Sequence, residues 1–70
     1  MRNNVEHLRR ERSWAQEALA TRVGVSRQTV NAIEAGRFNP SLPLALRLAR
    51  LFDKPVEEIF LDDDPGRVLP

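Results

Sequence analysis

The stretch Gln16–Gly36, QEALATRVGVSRQTVNAIEAG, decides the fold. In its first half Leu19 and Val23 stand four apart with Ala20 beside them. That spacing places them on one face of a helix, predicted over about Ala15–Arg22. Gly24 follows the last periodic residue, where a left-handed residue ends a helix. Ser26 then offers a hydroxyl to the free amides of a second helix over about Arg27–Ala35, and Gly36 closes it. Two helices joined by so short a glycine turn cross at a steep angle. On a wheel, Thr29, Val30 and Ile33 share one side of the second helix, while Arg27, Gln28, Asn31, Ala32 and Ala35 point the other way. Arginine, glutamine and asparagine are the side chains that pair bidentately with guanine or adenine edges. The small alanines would let the helix sit close in a groove. An ordinary solvated face with the same residues is the alternative reading.

Working outward, the apolar spacing stays helical and nowhere alternates like a strand over more than a few residues. A helix over about Asn4–Arg12 precedes the pair, with Val5 and Leu8 facing in. After the loop Arg37–Pro40, Ser41 caps a helix over about Leu42–Phe52, with Pro43 in the first turn where a missing N–H costs nothing. Leu42, Ala45, Leu48, Ala49 and Phe52 form its expected inward stripe. A last short helix, about Val56–Leu61, opens with Glu57 and Glu58, whose charges suit a helix N-terminus. Residues 4–61 read as one all-α domain of five helices, followed by an acidic, flexible tail over residues 62–70. His7 falls on a polar face. Asp62, Asp63 and Asp64 read as a solvated tail, with a divalent cation as the alternative.

The 70 residues hold no cysteine and one histidine. Disulfides and thiolate metal sites are thereby excluded, and little remains for zinc or general base work. Tyrosine, a glycine-rich phosphate loop and a convergent acid–base pair are also missing, so an enzyme is not expected and no cofactor is called for. No apolar run approaches the length of a membrane span. The polar N-terminus argues against a secretory signal, and the cytoplasm is the expected compartment. The net charge of +1 hides an asymmetry. Residues 1–37 carry seven arginines against four glutamates, a balance of +3, and residues 38–70 carry four basic against six acidic groups, a balance of −2. Ten of the eleven basic residues are arginine, which suits bidentate phosphate and base contact. A solubilising surface is the plainer reading of the same charge.

The pattern resembles the Cro/CI-type (XRE family) helix-turn-helix. Leu19, Ala20, Val23, Gly24, Val25, Val30 and Ile33 fall where that family places core or turn residues. The likeness continues upstream through Leu8-Arg9-Arg10-Glu11-Arg12, and downstream through Glu34-Ala35-Gly36-Arg37, Asn39-Pro40-Ser41, Leu48-Ala49 and Val56-Glu57-Glu58-Ile59-Phe60. It implies a five-helix, lambda-repressor-like domain that binds double-stranded operator DNA, most often as a homodimer. Carried over by position, Arg27 and Gln28 are the expected base-reading pair, with Asn31 and Ala32 further along. Gln16, Ser26, Arg37 and Asn39 are expected at phosphates. Glu34 is expected to pair with Arg9 as a structural ion pair.

Departures from the family pattern centre on Ser13-Trp14-Ala15. Ser13 takes a position that favours a left-handed backbone, and Ala15 cannot cap the helix that follows, a deficit of about 1 kcal/mol against serine. Alternatively, Ser13 and Gln16 form a capping box, which would divert Gln16 from phosphate. Trp14 is expected in the core rather than as a stacking platform, and Ala18 and Ala32 imply fewer contacts than usual. Leu44, Leu46 and Leu51 exceed what one helix face needs. With Val56, Ile59, Phe60 and Leu61 they suggest a subunit interface, and a helix buried on most sides is the alternative. The expected function is a small homodimeric repressor on a palindromic operator, with no small-molecule effector and no membrane partner. An antitoxin-like module meeting a toxin or other protein, and a restriction–modification controller protein, remain alternatives on the same fold.

Overall fold

A computed structural model describes residues 1–61, which form five helices. These are α1 (Val5–Glu11), α2 (Gln16–Val23), α3 (Arg27–Glu34), α4 (Leu42–Phe52) and α5 (Val56–Ile59). The acidic tail read from the sequence lies outside the described residues. No helix among those described is long and apolar enough to cross a membrane.

Four of the helices stop the same way. Ser13, Gly24, Gly36 and Asp53 take positive φ of 57°, 76°, 79° and 55°. The next residue's amide then turns back onto the helix: Trp14 N to Arg9 O, Val25 N to Ala20 O, Arg37 N to Ala32 O and Lys54 N to Ala49 O, at 3.0–3.2 Å. This closure satisfies carbonyls that a helix end leaves bare. Two of the four closures use glycine, and the other two hold a residue with a Cβ in a disfavoured backbone region. Helix starts divide likewise. The hydroxyls of Ser26 and Ser41 accept from Thr29 N and Leu44 N, whereas Ala15 leaves α2 without a side-chain cap. No capping box forms, because Ser13 belongs to the end of α1 and not to the start of α2.

The core joins every helix: Val5 and Leu8, Leu19 and Val23, Val30 and Ile33, Leu44, Leu48 and Phe52, and Ile59 are all buried. α2 packs chiefly on α3, and α4 covers α2 and α5. The phase of α4 corrects the expected stripe. Leu42 is 69% exposed and Leu44 is buried in its place. A helix with five leucines is apolar on most sides, and packing against α2 and α5 selects the 44–48–52 ridge, leaving Leu42 at the first turn outside it. Trp14 is half-buried against the core, with its ring 6.3 Å from that of Phe52.

α5 is shorter than the sequence pattern suggests, because Phe60 is extended and pairs with Asn3 in an antiparallel bridge. Asn4 N donates to Ile59 O and Leu61 N to Arg2 O, each at 2.8 Å. The Asn3 side chain ties this bridge to α3, since its Nδ2 donates to Ile33 O at 2.8 Å and its Oδ1 accepts from Val5 N at 3.0 Å. Two arginines join elements in the same way. Arg12 donates to Leu8 O and Phe52 O, and Arg47 donates to Val23 O at 3.1 Å, sealing the end of α2 where α3 is about to begin.

Candidate nucleic-acid interface

α3 exposes one face and buries the other. Arg27, Gln28 and Asn31 are exposed, Ala32 is half-buried, and Val30 and Ile33 are buried beneath them. Among the described residues the side chains of Arg27 and Gln28 make no hydrogen bond or ion pair. They stand in the first turn of α3 with their donors and acceptors free for a ligand. Asn31 is engaged, its Oδ1 accepting from Arg37 Nη2 at 3.3 Å. Ser26 spends its hydroxyl locally, accepting from Thr29 N at 3.1 Å and pairing with the Thr29 hydroxyl at 3.0 Å. Arg37 and Asn39 are exposed in the loop after α3. The start of α2, with its uncapped amides, carries Gln16, which is half-buried.

Beneath this surface lies a charged network. Arg9 Nε donates to Glu34 Oε2 at 2.7 Å and Arg9 Nη2 to Glu34 Oε1 at 3.2 Å, a two-pronged pair linking α1 to α3. The third arm of the guanidinium, Nη1, donates to Trp14 O at 2.7 Å. Both side chains are below 10% exposed. The hydrogen bond to Glu34 holds the Arg9 guanidinium above its usual pKa, against the opposing effect of burial. Gln16 Nε2 also donates to Glu34 Oε1, at 3.0 Å. Gln16 is thus partly committed to the network and turns its remaining N–H and carbonyl oxygen elsewhere. No pattern in the sequence announces that bond, because the two residues lie 18 positions apart.

Cations gather around the start of the pair. Arg22 lies 4.3 Å above the Trp14 ring, and Arg12 lies 5.0 Å from the Phe52 ring, close enough for cation–π attraction. Among the described residues no group of three or more His, Cys, Asp or Glu could hold a metal ion.

The residues expected at a subunit interface separate into two kinds. Ile59 is fully buried inside its own chain, so it offers no surface to a second copy. Val56, Phe60 and Leu61 are half-buried. Val56 and Phe60 line an open apolar groove of about 450 Å³ with Pro40, Leu42 and Ala45. Phe38 and Leu46, 45% and 40% exposed, add further apolar surface outside the core. The groove draws on the loop after α3, where Asn39, expected at a phosphate, and Pro40 also line it.

Comparison with known proteins agrees with this geometry. The Helix-turn-helix family model matches residues 5–59. A protein of Methanothermobacter thermautotrophicus, named an HTH-type transcriptional regulator, is 48% identical over 67 residues, covering 94% of this chain and 97% of its own. The cryptic phage CTXphi transcriptional repressor RstR of Vibrio cholerae is 32% identical over 62 residues, covering 89% of this chain and 56% of its own. In three dimensions the chain is similar to the restriction–modification controller protein C.AhdI from Aeromonas hydrophila. That likeness has a TM-score of 0.71 and 36% identity, and covers 80% of this chain and 85% of the other. With its turn, its core and its outward-facing third helix in the family's arrangement, this chain belongs to the XRE-type helix-turn-helix family of transcriptional regulators.

Proposed function

We propose that this protein is a cytoplasmic, sequence-specific DNA-binding repressor that acts as a homodimer on a palindromic operator. The observation that carries the reading is the free, exposed Arg27–Gln28 pair in the first turn of α3, set on a buried Val30–Ile33 ridge. α3 enters the major groove, and Arg27 and Gln28 meet base edges, as these side-chain types do. Asn31 and Ala32 follow along the same face. Arg37, Asn39, the Ser26 backbone and the open amides at the start of α2, with Gln16, sit at phosphates and set the register.

The dimer uses the apolar groove beside Val56 and Phe60. Two copies joined there present two recognition helices to successive major-groove faces about 34 Å apart, which calls for an inverted repeat. Bound across its operator, the domain represses by occupancy. The likeness to a phage repressor supports the same sign. The likeness to C.AhdI favours a second reading of the biology, control of a restriction–modification system, with the same DNA mechanism. An antitoxin role would place another chain in the groove instead of a second copy.

Selection of the purified protein against random duplex DNA tests the proposal. An enriched inverted repeat is expected, with affinity falling steeply as salt rises. Binding with no sequence preference would refute it.

A further inference from the structure

The end of α3 does more than stop the helix. Gly36 N donates to Ile33 O at 2.9 Å and Arg37 N to Ala32 O at 3.0 Å, with Gly36 at φ 79°. Paired bonds of this kind fold the chain back across the helix it leaves. In an uninterrupted helix, residues six apart would sit about 120° from each other and could not meet. The reversal returns Arg37 to the exposed face of α3, where its Nη2 lies 3.3 Å from Asn31 Oδ1.

We infer that Arg37 is a specificity-determining positioning residue, which fixes the Asn31 carboxamide so that Asn31 meets a base with its Nδ2 donors. This rests on the proposed reading of α3 as the major-groove helix. The chemistry of the contact sets the orientation. A guanidinium only donates, so the amide atom facing Arg37 has to be oxygen, and the NH2 group faces away. An unrestrained asparagine can offer either end, and the pairing of asparagine with adenine uses both. With Oδ1 held toward Arg37, the group turned away from it and presented to a base is the Nδ2 donor. It suits an acceptor edge such as guanine O6 and N7 or thymine O4. Arg37 retains other N–H groups for a phosphate, so one side chain both anchors the helix and orients its neighbour.

A phosphate contact and a positioning role separate cleanly in sequence-selection profiles. The wild type, Asn31→Ala, Arg37→Ala and the double variant are each selected against random duplex DNA, with thermal melts to confirm equal folding. Asn31→Ala identifies the base position that Asn31 reads. Arg37→Ala is expected to flatten the preference at that same position by at least about threefold. The double variant is expected to flatten it no further. If Arg37→Ala weakens every sequence equally and leaves the profile unchanged, Arg37 contacts phosphate only and the inference is overturned. It is also overturned if Asn31→Ala changes no position. A wild type that enriches no motif refutes the DNA-reading function itself, and the positioning role with it.

Discussion

Replacing Ser13 with glycine should make this protein more stable. Ser13 holds φ 57° at the end of α1, and among the described residues its hydroxyl makes no hydrogen bond. The backbone bonds that close the helix, Ser13 N to Arg10 O and Trp14 N to Arg9 O, need only that φ and survive the change. Left-handed backbone costs a residue with a Cβ about 1–2 kcal/mol. Glycine removes that strain but gives back about 0.5–1 kcal/mol through the greater freedom of its unfolded chain. The net gain is about 0.5–1 kcal/mol. At ~2.1 cal/mol/K of unfolding entropy per residue, a chain of 70 residues shifts its midpoint by about 7 °C per kcal/mol. The expected rise is therefore about 3–7 °C. Thermal unfolding followed by circular dichroism measures it, with urea titration as a second probe. Ala18→Gly is the control, because Ala18 lies inside α2, where the same residue lowers stability by about 1 kcal/mol. A Ser13→Gly midpoint that stays put or falls, beside a normal Ala18→Gly loss, would show that the turn is not strained and would refute the reasoning.

Other substitutions probe different parts of the structure. Ala15→Ser supplies the cap that α2 lacks and should add about 0.5–1 kcal/mol in the same melts; no gain would mean that the amides of the first turn are already satisfied. Glu34→Ala leaves the buried Arg9 guanidinium only the Trp14 carbonyl and Glu6 at 3.9 Å and should cost about 3 kcal/mol, a large share of the stability of a domain this small, as urea titration would show. An Arg9→Met/Glu34→Leu double variant should lose much less, since no buried charge is left unpaired. Arg27→Ala should cost about 1–3 kcal/mol of binding to the selected operator and relax one base position. Equal loss on all sequences in a fluorescence titration would move Arg27 to a phosphate.

Much of this fold is legible in the sequence because its helix ends are chemically marked. Gly24 and Gly36 announce left-handed closures, Ser26 and Ser41 announce caps, and the wheel of α3 separates Val30 and Ile33 from Arg27 and Gln28. What escaped reading is tertiary. The leucine-rich α4 carries no internal signal of its phase, so Leu42 and Leu44 exchange places once α2 and α5 choose a ridge. α5 ends early because Phe60 finds Asn3, a partner from the opposite end of the described chain. The hydrogen bonds of Arg12 to Phe52 O, Arg47 to Val23 O and Gln16 to Glu34 join residues with no periodic relation. In a four-residue helix the alternation of exposed and buried positions is too short to read, so the sequence does not separate Ile59, which belongs to the core, from its more exposed neighbours.

The central claim is that α3 reads DNA sequence through Arg27 and Gln28. Its most direct test is a pull-down of fragmented genomic DNA by the purified protein, followed by sequencing, beside an Arg27→Ala/Gln28→Ala variant of equal thermal stability. Enrichment of fragments sharing an inverted repeat, lost in the variant, is the predicted result. Equal recovery of the same fragments by both proteins, or no enrichment at modest salt, would contradict it.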